Sequence, residues 1–147
     1  TPAVIDIGIR DIIEALPLVR RVSQQYARAT VAIVPITPPD PNNSTVVQTG
    51  LMSVESVEDL ISRGAVGEIA SHWWFDRAGG VVEQSDVHAI GLGLDGLYRM
   101  VERRAKTIAV VGASRERILP LKVALSSGLV NVLITDHITA ELLLSEE

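Results

Sequence analysis

The sequence predicts an α/β domain on a mostly parallel sheet, and three observations carry that prediction. First, 47% of the 147 residues are apolar but only 3% are aromatic. Val, Ile, Leu and Ala must fill the interior, as in parallel sheets buried on both faces. Second, residues 107–111 (TIAVV), a helical stretch over 115–127 and residues 131–135 (NVLIT) follow one another. Strand, helix, strand at that spacing is a βαβ unit with parallel strands and a right-handed crossover. Third, charged residues make up 21%, which excludes the disordered and coiled-coil classes.

The elements before that unit read in order. Ile9, Ile12, Ile13 and Leu16 repeat at helical spacing. Pro17 breaks that helix and suits the first position of the next, which carries Leu18, Val22 and Tyr26 on one face and Arg20, Arg21, Gln24 and Gln25 on the other. Residues 30–36 (TVAIVPI) read as a short buried strand. Residues 37–44 (TPPDPNNS), with three prolines and two asparagines, read as a loop. A helix follows from about Ser53, with Val54, Val57, Leu60 and Ile61 as its apolar face and Gly64 closing it. Residues 66–75 are strand-like, 76–80 a turn, 87–90 a short strand and 94–103 an amphipathic helix. After the last strand, Asp136 leads into a helix running through Leu144.

Charge and composition exclude several functions. The net charge is −5, whereas a free-standing nucleic-acid binder carries a basic surplus to displace counterions from phosphates. There is no cysteine, so disulfides and thiolate zinc sites are out, which fits the cytoplasm. No apolar run approaches the roughly 18 residues of a membrane span, and no signal peptide is visible. The first residue is Thr1 rather than Met, so the chain is expected to be processed or part of something longer.

One place could carry chemistry from spacing alone. Gly112, Ala113 and Ser114 join a buried strand to a helix, where backbone N–H groups and the helix dipole favour an anion. Arg115 and Arg117 lie in the first turn of that helix, where a cation is unfavourable unless an anion or a carboxylate compensates. Arg117 can offer a forked pair of hydrogen bonds to phosphate. The alternative is a plain turn of small residues with solvated arginines. Asp76, beside a glycine turn, can accept from sugar hydroxyls or simply cap its own turn. Of the neighbours Trp73 and Trp74, one belongs in the core and the other is free to line a surface. His72, His88 and His137 lack metal-ligand spacing. Ser44, Ser53, Ser56 and Ser114 include no nucleophile elbow, and Gly91–Gly96 (GLGLDG) reads as a glycine-rich turn. No cofactor and no metal are expected.

Taken in order, the segments 64–69 (GAVGEI), 74–76 with Gly79 (WFD..G), 109–114 with Arg117, and 124–136 (AL..GLVNVLITD) form a pattern. It resembles the effector-binding domain of the SorC (sorbitol operon regulator) family, from about Thr30 to Leu144 and more weakly from Thr1. The resemblance implies a Rossmann-like three-layer α/β fold, related to glucosamine-6-phosphate deaminase and ribose-5-phosphate isomerase. It implies binding of a sugar or sugar phosphate, coupled to homo-oligomerisation as a dimer or tetramer. Operator DNA would be reached only through a separate N-terminal helix-turn-helix. By position, Gly112, Ala113 and Ser114 fall on the family's small-residue turn, Arg117 on its phosphate-contacting lysine, and Asp76 on its acidic position near the sugar.

The sequence also departs from that pattern. Arginine replaces the lysine, and Pro35-Ile36-Thr37 stands where the family often has Gly-Ile-Gly. Pro35 offers no N–H, and Thr37 cannot take glycine-only conformations. The family's helix-turn-helix and first βαβ segment have no counterpart, so residues 1–147 are expected to form a single effector domain incomplete on its N-terminal side. The expectation is a non-catalytic sensor. Two rivals stand beside it: a sugar-phosphate isomerase, deaminase or lactonase on the same fold, and an interaction domain with a degenerate pocket.

Overall fold

Two prolines set the first boundaries of the chain. The computed structural model describes residues 3–4, 7–26, 28–84, 87–112 and 114–145. Strand β1 (Ala3–Val4) precedes helices α1 (Ile7–Ala15) and α2 (Pro17–Tyr26), with Pro17 at the first helical position, where its missing N–H costs nothing. Much of the apolar faces expected to turn inward stays exposed: Ile9 and Ile12 on α1, Leu16 between the helices, and Leu18 and Val22 on α2. The half-buried stripe on α2 is instead Val19, Ser23 and Tyr26.

The expected strand over residues 30–36 is cut in two by Pro35. Strand β2 (Val31–Val34) and strand β3 (Ile36–Thr37) join different sheets, because Pro35 cannot donate to a ladder. The proline-rich loop follows, then a short helix α3 (Thr45–Gln48) and helix α4 (Val54–Ser62). Ser53 caps α4 by accepting from the Ser56 N–H at 3.1 Å, and Gly64, at φ +98°, ends it.

The strand-like stretch 66–75 is a hairpin rather than one strand. Strands β4 (Gly67–Ile69) and β5 (Trp73–Phe75) turn back on each other through Ala70 and Ser71, at φ +55° and +61°. Strand β6 (Val81–Val82) completes an antiparallel meander in the order β3-β4-β5-β6. Strand β7 (His88–Ala89) pairs antiparallel with β1, and helix α5 (Gly93–Glu102) follows.

The βαβ unit forms as predicted. Strand β8 (Lys106–Val111), a 3₁₀ turn (Arg115–Arg117), helix α6 (Ile118–Ser126), strand β9 (Val132–Thr135) and helix α7 (His137–Ser145) follow in order. The parallel sheet runs β2-β8-β9, with β8 central, and Ile33, Ile108 and Val132 lie in one row across it.

The two faces of this sheet differ. Val34, Ala109 and Val111 point into the main core with Ile36, Ile69, Phe75, Leu97, Leu121 and Leu129. The other face carries Val31, Ile33, Val110 and Ile134, exposed at 50, 70, 52 and 55%. The meander lies between two apolar clusters, because successive strand residues point to opposite sides. Ile69 and Phe75 face the main core, while Trp74 and Val82 face a second cluster with Val46, Met52, Val57 and Leu60.

Candidate functional site

The carboxyl ends of β8 and β9 lie side by side, and they hold most of the polar groups predicted to matter. Val111 pairs with Thr135 in the last rung, and the Thr135 hydroxyl donates to the Val111 carbonyl at 2.6 Å. The next residues, Gly112 and Asp136, therefore emerge as neighbours. A β-carbon placed on Gly112 would have Asp136 Oδ2, at 4.0 Å, as its nearest contact among the described residues beyond its chain neighbours, so there is space beside Gly112. Ala113 lies outside the described residues. Ser114 is extended (φ −158°, ψ 126°) and leads into the 3₁₀ turn, with its carbonyl accepting from the Arg117 N–H at 3.1 Å. The helix expected to begin at residue 115 thus enters by a tighter turn, and α6 proper starts at Ile118.

Charge at this edge is arranged by both signs. Arg117 is half-buried and Arg115 exposed, and the Arg10–Glu14 and Arg63–Asp59 ion pairs lie on other helices. Glu116 lies between the two arginines in the 3₁₀ turn, and neither arginine is held in an ion pair among the described residues. Asp136 caps α7: Oδ1 accepts from the Thr139 N–H at 2.9 Å and Oδ2 from its hydroxyl at 3.0 Å. The Thr139 N–H bond is the main cause holding the Asp136 carboxyl below the usual range. It stays ionised, with lone pairs left for a hydroxyl donor. Spacing did not single out Asp136, because its approach to Gly112 depends on the register of β8 and β9.

Asp76 is placed elsewhere. Its Oδ1 accepts from the Ala78 and Gly80 N–H groups, both at 2.8 Å, which is the Asx-turn alternative. Gly79 (φ +84°) leaves no room for a side chain against Ser127 and Tyr98, and the Tyr98 hydroxyl donates to its carbonyl at 2.8 Å. Ser127 caps the C-terminal end of α6, whereas Arg117 begins it. Ten residues at 1.5 Å each put those backbone positions about 15 Å apart. The structure therefore gathers Gly112, Ser114 and Arg117 at one end of α6 and packs the Asp76 turn at the other.

Strand β4 carries a buried acid. Glu68 is 4% exposed. Its Oε1 accepts from the Thr37 hydroxyl at 2.7 Å, and Oε2 has no partner among the described residues. Burial pushes its carboxyl up, and the Thr37 bond partly offsets this. Of the two tryptophans, Trp74 is the core residue and Trp73 is half-buried. No cluster of His, Asp or Glu able to hold a metal ion occurs among the described residues.

The comparisons with known proteins agree on one family. The family described as "Putative sugar-binding domain" matches residues 2–145. A DeoR family transcriptional regulator from Listeria monocytogenes is 25% identical, with a TM-score of 0.85 over 97% of this chain and 56% of its own. A structure described as "Putative Sugar-Binding Domain of Transcriptional Repressor" from Vibrio fischeri is 26% identical, with a TM-score of 0.79 over 97% and 55%. The full-length sorbitol operon regulator SorC from Klebsiella pneumoniae shares the fold at 24% identity, with a TM-score of 0.76 over 97% and 44%. No curated protein matches in sequence. The chain spans about half the length of these structures. With nearly every residue inside the match, the chain belongs to this sugar-binding-domain family.

Proposed function

We propose that the chain is the effector-sensing part of a sugar-responsive transcription regulator, and that its ligand is a phosphorylated sugar held at the turn 112–114. The observation that carries this reading is the space beside Gly112, flanked by Arg117, which is in no ion pair among the described residues, and by the ionised Asp136. Backbone N–H groups after Gly112 and the Arg117 guanidinium bind the phosphate. Asp136 accepts from a sugar hydroxyl. In this reading Asp76 shapes its own turn. Sensing rather than turnover is favoured because Asp136, the acid at the turn, already accepts two hydrogen bonds from Thr139.

The bare face of the parallel sheet supports a second part of the reading. Parallel sheets are normally covered on both faces, and the related structures are nearly twice as long as this chain. We infer that further polypeptide supplies the missing layer and carries the DNA-binding unit. Ligand at the turn then shifts assembly and operator affinity together, a coupling between separate sites.

Thermal melting against inorganic phosphate, sugars and sugar phosphates tests the site. Ligand at a hundred times its Kd adds about 2.7 kcal/mol, or roughly 5–10 °C for a domain of this size. A sugar phosphate should give that shift, and Arg117→Ala should abolish it. A shift that survives Arg117→Ala, or none with any phosphorylated compound, sinks the assignment.

A further inference from the structure

A cleft of about 510 Å³ opens between α1 and α2 on one side and β5, β6, β7 and the first turn of α5 on the other. Gly112, Ser114, Arg117, Asp136 and Asp76 do not line it. Its size falls within the range of about 300–1,000 Å³ typical of small-ligand sites.

The polar groups that converge on it come from separate elements. Arg20 reaches it from α2, Glu83 from the segment after β6, and Asp95 and Arg99 from α5. These four form no ion pair among the described residues. With the Arg10–Glu14 pair that also lines it, three cations and three anions cancel, so the cleft has no preference for an anion. It instead offers donors and acceptors side by side, which is what hydroxyl groups need, since each hydroxyl both donates and accepts.

The wall includes an aromatic residue. Trp73 lines the cleft, half-buried, and a tryptophan face suits the apolar C–H face of a sugar ring. Behind it, the Trp74 Nε1–H donates to Gln84 Oε1 at 3.1 Å, and Gln84 Nε2 donates to the His72 carbonyl at 3.0 Å. His72 Nδ1 is buried without a partner among the described residues. Buried polar atoms are paired in the great majority of cases, so this nitrogen awaits one. Burial also pulls the imidazole below its usual titration range. At neutral pH the ring is uncharged, suited to a hydroxyl rather than to a phosphate.

We propose that this cleft is a second ligand site, built for an uncharged sugar that stacks on Trp73 and is held by Arg20, Glu83, Asp95 and Arg99. The proposal goes beyond the phosphate-binding turn and does not rest on it.

Tryptophan fluorescence of the chain tests it, because half-buried Trp73 and buried Trp74 both line the cleft. The probes are D-glucose, D-galactose, D-xylose and maltose, titrated into the native chain and into Asp95→Ala and Arg99→Ala. Both substituted positions are exposed, so the fold is kept, which circular dichroism checks. At least one sugar should give a saturable change, weakened about tenfold or more in either variant, as for loss of a hydrogen bond to a charged group. No saturable change with any of the four overturns the proposal, as does a change that both variants leave intact. Arg117→Ala, read with a sugar phosphate, reports on the other site, so the two readings fail separately.

Discussion

Asp136 faces Gly112 across the ends of two adjacent parallel strands, its Oδ2 4.0 Å from where a β-carbon on Gly112 would stand. That gap is wide enough for a methyl group at ordinary van der Waals distance, and Gly112 is not among the glycines with positive φ. Gly112→Ala should therefore leave the stability of the free chain within about 0.5 kcal/mol. The same methyl fills the space that a bound phosphate needs. The melting shift given by a sugar phosphate should fall sharply while the unliganded Tm stays put. A fall in the unliganded Tm would mean that the turn is packed rather than open.

Asp136 and Glu68 should respond to pH with opposite signs. The Asp136 carboxyl is lowered in the folded chain, chiefly by the Thr139 N–H. The unfolded state then binds more protons in acid, so this contribution is present above the unfolded pKa and lost as pH falls through the folded one. Glu68 is raised by burial, so its folded state binds the extra proton. Its stabilising effect is present in acid and lost as pH rises through the folded value. Glu68→Gln keeps the acceptor for Thr37 and removes the buried charge. It should raise Tm at neutral pH, with the gain shrinking as pH falls through the raised folded value and gone once pH is below the ordinary glutamate value. Melting curves of the two chains across that range check both the sign and the window.

Much of this architecture is legible because its strands are marked at both ends. Lys106 and Gly112 bracket one apolar run, and Asn131 and Asp136 the other, so the βαβ unit follows from the sequence. The hairpin at residues 70–71 does not, because Ala and Ser carry left-handed backbone where Gly or Asn would announce it. The bare face is hidden for a different reason. Residues 107–111 are apolar throughout, and apolarity alone does not say which side finds a partner. For the site, the turn 112–114 and Arg117 were visible as a strand-to-helix junction. Spacing favours the turn role of Asp76, and only the family resemblance sets it beside the ligand. Asp136 was invisible as a site residue because only strand register brings it to Gly112.

The hairpin turn itself makes a prediction. A non-glycine residue in the left-handed region costs roughly 1–2 kcal/mol, and Ser71 adopts it at φ +61°. Ser71→Gly removes that strain and adds some chain entropy to the unfolded state. The balance should favour the variant by about 0.5–1 kcal/mol, a rise of a few degrees in Tm. A lower Tm would show that the Ser71 side chain supports the turn by contacts that outweigh its backbone cost.

The exposed sheet face separates the isolated chain from the complete regulator proposed above. Ile33 and Ile134 stand on adjacent rows of that face, 70 and 55% exposed. Threonine keeps the β-branched shape at each position but swaps a hydrocarbon branch for a hydroxyl. In this chain, Ile33→Thr with Ile134→Thr should change stability by no more than about 0.5 kcal/mol per site, while lowering the fluorescence of a hydrophobic dye. In a longer protein that covers the face, the same pair should cost roughly 1–3 kcal/mol per site, because each hydroxyl then enters a core without a partner. Equal, small effects in both would mean that no layer seats there, and the inferred completion of the sheet would have to be abandoned.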